Sequence, residues 1–188
     1  MMPMKILESE RYGMIRLFEA CISALALLVQ RDAVLFGWRR SRVAMCHRLA
    51  HYLEHAIFPT GSNDGFVFDL SAPVGLSKGS VTSDILLHNR NLEDPVRPMA
   101  IMCRDDYLSE QELRMLYDLK TESGCTLALA IAFLPQKSYL LIYRADDEWI
   151  DYYHFDRDDH HCHLLRRRDM ENLADNGQQL KLGIKVPR

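Results

Sequence analysis

Apolar residues recur at helical spacing over residues 5–30, where Ile6, Tyr12, Ile15, Leu17, Phe18, Cys21, Ile22, Leu25, Leu28 and Val29 oppose Glu8, Arg11, Arg16 and Glu19. The pattern predicts a long helix that becomes buried towards its end. Gly37 interrupts it, and Ser41 is placed to cap a second helix. The apolar face of that helix carries Val43, Met45, Cys46, Leu49, Tyr52, Leu53 and Ile57, and Phe58-Pro59 ends it. The period then changes. After a turn at residues 61–65, Phe66, Phe68 and Leu70 alternate as in a half-buried strand, and a Gly/Ser/Lys loop over residues 72–80 leads to the segment 81–88. Its Gly75-Leu76-Ser77-Lys78-Gly79-Ser80 lacks the spacing of a phosphate-binding loop and reads as a plain loop.

Residues 99–104 form the next apolar run. Ser109 and Glu112 frame a capping box for a helix that runs to Lys120 and is stopped by Gly124. Residues 126–134 read as a buried strand, and turns at 135–137 and 145–148 lead into strands at 138–143 and 149–155, a meander. The remainder holds a polar run at 156–163, a short helix around 166–174 and a last strand at 180–186. The expected fold is α/β, a mixed sheet of about five to six strands flanked by helices. At 188 residues this is the length of one ordinary domain, divided into an N-terminal helical extension (1–37), a core (38–155) and a tail (156–188).

Composition narrows the function. With 23 Lys and Arg against 26 Asp and Glu, the net charge of -3 argues against a broadly basic nucleic-acid sleeve, so any polyanion site must be local. The entry of the second helix supplies one candidate, Arg39, Arg40, Arg42 and Arg48, to which Arg104 adds a further cation. Five cysteines form an odd set without C-x-x-C spacing, and four lie inside apolar runs, which implies reduced core thiols and a cytoplasmic setting. The longest apolar run, residues 20–29, is about half of the roughly 20 residues a membrane span needs. Glu8, Glu10 and Glu19 ahead of it are unlike the basic flank of a secretory signal.

The element order α-α-β-β-β-α-β, the strand start Ser83-Asp84-Ile85-Leu86-Leu87-His88 and the helical run Cys46-His47-Arg48-Leu49-Ala50-His51-Tyr52-Leu53 together resemble small bacterial proteins of the PD-(D/E)XK nuclease superfamily. The resemblance covers roughly residues 42–144 and implies a restriction-endonuclease-like sheet. It also implies a helix glutamate, an aspartate opening one strand and a Glu-x-Lys closing the next. The carboxylates of such a site hold Mg²⁺ or Mn²⁺, which polarises the scissile phosphate and lowers the pKa of a bound water. Asp84 matches the aspartate. Arg42 falls at the helix glutamate, Met102 at the strand glutamate and Arg104 at the lysine. A thioether is a poor ligand for a hard cation, and a guanidinium brings positive charge where an anion is needed.

The leading expectation is therefore a module with no catalytic residue, metal or cofactor that binds nucleic acid or a protein partner. The cationic face consists of Arg39, Arg40, Arg42, Arg48 and Arg104. One rival is a Mg²⁺- or Mn²⁺-dependent nuclease in which Asp84 is joined by Asp105 or Asp106, with Arg104 facing the phosphate. Glu110, Glu112 and Lys120 on the next helix are further candidates for that rearrangement. A third reading is a homo-oligomeric structural or assembly subunit that associates through the first helix. The run Asp156 to His163 would place His161 and His163 on one face of an extended segment, with His160 and Cys162 on the other. It is read as a polar surface loop.

Overall fold

The structure is a computed structural model that describes residues 12–170. The expected start of the first helix and the last strand at 180–186 lie outside the described residues. Helix α1 spans Met14–Arg31, a short 3-10 helix follows at Ala33–Gly37, and helix α2 spans Arg42–Ile57. Strands β1 (Val67–Leu76), β2 (Gly79–His88) and β3 (Met99–Arg104) precede helix α3 (Glu110–Ser123). Strands β4 (Leu127–Ala132), β5 (Tyr139–Ala145), β6 (Trp149–Asp156) and β7 (Cys162–Asp169) complete the elements among the described residues.

The seven strands lie in one mixed sheet in sequence order. Only β3 and β4 run parallel, and α3 crosses between them. The alternation along each strand sorts side chains into two cores. Ile85, Leu87, Ile101, Cys103, Leu129 and Ile131 face α1 and α2, while Leu86, Ala100, Met102, Ala128 and Ala130 face Leu113, Leu116 and Leu119 of α3. The row Ala128, Ala130 and Ala132 on β4, with Ala100 beside it, leaves room for α3 to lie close against the sheet.

Helix α3 begins and ends as its sequence requires. The Ser109 hydroxyl accepts from the Glu112 amide, and the Glu112 carboxylate accepts from the Ser109 amide. Gly124 terminates the helix in the left-handed region at φ 72°. Ser41, by contrast, occupies the N-cap position of α2 without a side-chain cap bond, because its backbone is already helical. Val43, expected on the apolar face of α2, is 73% exposed.

Two segments differ from expectation. The loop at 72–80 is a two-residue hairpin, in which Ser77-Lys78 joins Leu76 to its partner Gly79. Glu122 near the end of α3 holds the hairpin tip, accepting from the Ser77 amide at 2.7 Å and the Ser77 hydroxyl at 2.6 Å. The expected helix at 166–174 is, over residues 166–169, the last part of strand β7. That strand raises the count to seven. Cross-strand pairing of Arg166 with Tyr152 and of Arg167 with Asp151 gives the arginine run an extended partner, which outweighs its helix propensity.

Candidate functional site

The site lies where β2 leaves β3. Strand β2 pairs with β1 along its length, from Val67↔His88 to Leu76↔Gly79, but with β3 only at Ile85↔Ile101, Leu86↔Ala100 and Leu87↔Met99. Beyond Ile85 the two strands separate and bare the amides of Ile101 and Cys103, which burial would make costly to leave unpaired. Side chains of β2 close the split. Ser83 Oγ accepts the Ile101 N–H at 3.2 Å while donating to the Ile85 carbonyl at 2.7 Å, and Asp84 Oδ2 accepts the Cys103 N–H at 2.8 Å.

Asp84 is then enclosed by cations from α2 and from β3. Arg42 Nη1, at the start of α2, donates to Asp84 Oδ1 at 3.2 Å and to the Cys103 carbonyl at 3.0 Å. Arg104 Nη1, at the end of β3, donates to Asp84 Oδ2 at 3.1 Å and to the same carbonyl at 2.7 Å. Arg104 Nε reaches Glu112 of α3. Partial burial pushes the Glu112 carboxyl up, but the Ser109 amide and the Arg104 guanidinium more than offset it and hold the group below its ordinary range. The cluster thus contains two carboxylates and two guanidiniums, tying α2, β2, β3 and α3 together.

Arg42, Asp84 and Arg104 therefore converge on one point of the sheet. Met102 stands one register step past Ile101, fully buried in the core under α3. Asp105 and Asp106 are exposed residues of the loop after β3, and Asp106 Oδ1 accepts the Tyr107 amide. Glu110 is held by Arg168 through two bonds of 2.7 and 2.9 Å. Lys120 donates to the carbonyls of Cys125 and Thr126. Among the described residues no three His, Cys, Asp or Glu side chains are grouped so as to hold a metal ion.

The expected cationic face divides. Arg48 lies about 120° around α2 from Arg42. It donates to Asp32 Oδ2 at 2.9 Å and to the Tyr52 hydroxyl at 2.5 Å, fastening α2 to the end of α1. Arg39 and Arg40 are exposed in the turn that enters α2, next to Trp38, which is 57% exposed. Arg40 adopts φ 63°, a left-handed conformation unusual for a side chain of its size.

Cys103 lies in the core under α1 and α2, where its neighbour Cys46 and burial push its thiol well above the ordinary value. The rings of His161 and His163 share a face at 5.7 Å, and His163 stacks across the strands on His154 at 5.0 Å. Cys162 to Asp169 is strand, so the run expected as a loop is half a hairpin, with its turn at residues 157–160.

The sequence reading missed Asp151. Its side chain is fully buried on β6 between Arg144 of β5, at 2.7 Å, and Arg167 of β7, at 2.7 and 3.1 Å. A charged residue inside an otherwise apolar strand was the available signal. Asp69 was also passed over. It accepts from Arg90 Nε at 2.9 Å and lies 2.8 Å from His88 Nε2 at the β1–β2 edge.

Among the described residues no helix is long and apolar enough to cross a membrane. No protein-family model matches the chain, and no curated protein or solved structure is similar enough to it to match.

Proposed function

We propose that the chain is a non-catalytic module on a nuclease-like sheet that binds nucleic acid through the exposed basic turn leading into α2. What supports the non-catalytic part is the enclosure of Asp84. Both of its oxygens serve guanidinium or amide donors, and the counter-charge that an ion would bring is already supplied by Arg42 and Arg104. A metal ion would have to displace both arginines to reach Asp84. What supports nucleic acid as the partner is Trp38 beside Arg39 and Arg40, since an exposed indole flanked by free cations suits base stacking and phosphate contact.

The test is fluorescence anisotropy with labelled single-stranded DNA, duplex DNA and RNA at low and physiological salt. Binding that weakens steeply with salt and falls when Trp38, Arg39 and Arg40 are all replaced by Ala supports the proposal. A flat response to all three at low salt overturns the nucleic-acid reading and leaves a protein partner. Cleavage in Mg²⁺ or Mn²⁺ that is lost in Asp84→Ala overturns the non-catalytic reading.

A further inference from the structure

A cavity of about 320 Å³ opens between the N-terminal end of α3 and strands β5 to β7, on the side of the sheet away from α1 and α2. It shares no lining residue with the cluster around Asp84. Its walls include Leu113, Leu141, Tyr143 and Tyr152, with the two tyrosine rings packed edge to face at 4.9 Å.

Two polar groups lining this cavity are unmatched. The first is the hydroxyl of Tyr152, a residue only 4% exposed, whose O–H finds no acceptor among the described residues. The guanidinium of Arg168 lies alongside and also holds Glu110, but arginine only donates, so it can serve the phenolic oxygen and never accept the phenolic hydrogen. The phenolic O–H is left without an acceptor. The second is Arg166, whose guanidinium sits 4.2 Å from the centroid of the Tyr152 ring. Its neighbours Arg167 and Arg168 are paired with Asp151 and Glu110, whereas no carboxylate reaches Arg166 among the described residues. A donor without an acceptor next to a cation without an anion calls for one kind of group, an oxyanion. The volume lies at the small end of the range for ligand pockets, and the aromatic and leucine walls fit a flat apolar body.

We propose that this cavity binds a small planar organic anion, with its oxyanion taken by Tyr152 and Arg166 and its flat body against Tyr143 and Leu113. This inference is independent of the nucleic-acid reading, because the basic turn before α2 contributes nothing to the cavity.

The experiment follows amide chemical shifts of the full chain during titration with benzoate, phenyl phosphate, inorganic phosphate and neutral benzyl alcohol. Saturable shifts centred on Leu108, Tyr143, Tyr152 and Leu165 with benzoate or phenyl phosphate are expected, with benzyl alcohol at least about tenfold weaker. Whichever of the two anions binds tighter distinguishes a carboxylate from a phosphate ester, and tighter binding of inorganic phosphate than of both would overturn the planar body. Tyr152→Phe keeps the ring and the packing and is expected to lose about fivefold or more, and Arg166→Gln, on an exposed strand position, about tenfold or more. Absence of saturable shifts, equal binding of benzyl alcohol, or full affinity in both variants overturns the proposal.

Discussion

Asp84 Oδ2 accepts the amide of Cys103 at 2.8 Å across a gap where β2 no longer pairs with β3. A side chain thus performs the work of a missing rung of the sheet, and the guanidiniums of Arg42 and Arg104 beside it give the residue a reason to be acidic. Of the two arginines that enclose it, Arg42 comes from α2 and Arg104 from β3, and Arg104 also holds Glu112, so the cluster ties α2 and α3 to the same point of the sheet.

That role fixes the sign of a mutational effect. A catalytic carboxylate strains its fold, and its removal tends to stabilise the protein. Asp84→Ala should instead destabilise by about 2 to 4 kcal/mol in urea unfolding, because it strips the Cys103 amide and leaves Arg42 and Arg104 without their shared anion. Asp84→Asn retains an acceptor and should lose less. A gain of stability in Asp84→Ala would point back to a functional site.

Ser83 closes the other half of the same gap. It is fully buried, and its hydroxyl is the acceptor for the Ile101 amide. Ser83→Ala should cost about 1 to 3 kcal/mol, the penalty of an orphaned buried donor, while Ser83→Thr retains the hydroxyl and should cost less. Hydrogen exchange at Ile101 gives an independent reading, with faster exchange expected only in the alanine variant.

The local elements were legible in the sequence, and the partnerships between them were not. The capping box at Ser109 and Glu112, the stop at Gly124 and the turn that leads into the strand at 149–155 each depend on neighbours a few residues away, and each reads directly. Strand β7 did not. Arg166, Arg167 and Arg168 show no apolar alternation, and they are extended because β6 supplies their partners. The Asp84 cluster was half visible. A family pattern placed Arg42, Asp84 and Arg104 together, but only the split between β2 and β3 reveals that the aspartate answers an amide.

Acid should act first at the outer edge of the sheet. The Arg90 guanidinium, more than the neighbouring His88, holds the Asp69 carboxyl at about 2 against an ordinary 3.8. A depressed folded-state value means that the stabilisation is complete above pH 3.8 and is lost as pH falls towards 2. Arg90→Ala should abolish most of that component and flatten the stability profile through this window. An unchanged acid limb in the variant would assign the loss to other carboxylates.

Asp151 carries the largest expected effect, because nothing but its two arginines compensates its burial. Burial pushes its carboxyl up, yet the bonds from Arg167 and Arg144 prevail and hold it below the ordinary value, so its contribution too is present near neutrality and lost in acid. Asp151→Ala should cost about 3 to 5 kcal/mol. The two arginines should not be equivalent. The Arg144 side chain is 14% exposed and lies against the rings of Phe18 and Tyr153, whereas that of Arg167 is 48% exposed and stacks on Trp149. Truncating Arg144 removes buried packing as well as charge, so Arg144→Ala should cost more than Arg167→Ala, although Arg167 makes the two-pronged contact. A double-mutant cycle between Asp151 and each arginine separates the terms. Coupling greater for Arg167 with a greater single loss for Arg144 is the expected result, and the reverse order in both would show that the charge pairing, not the packing, sets the position of β5 against β6.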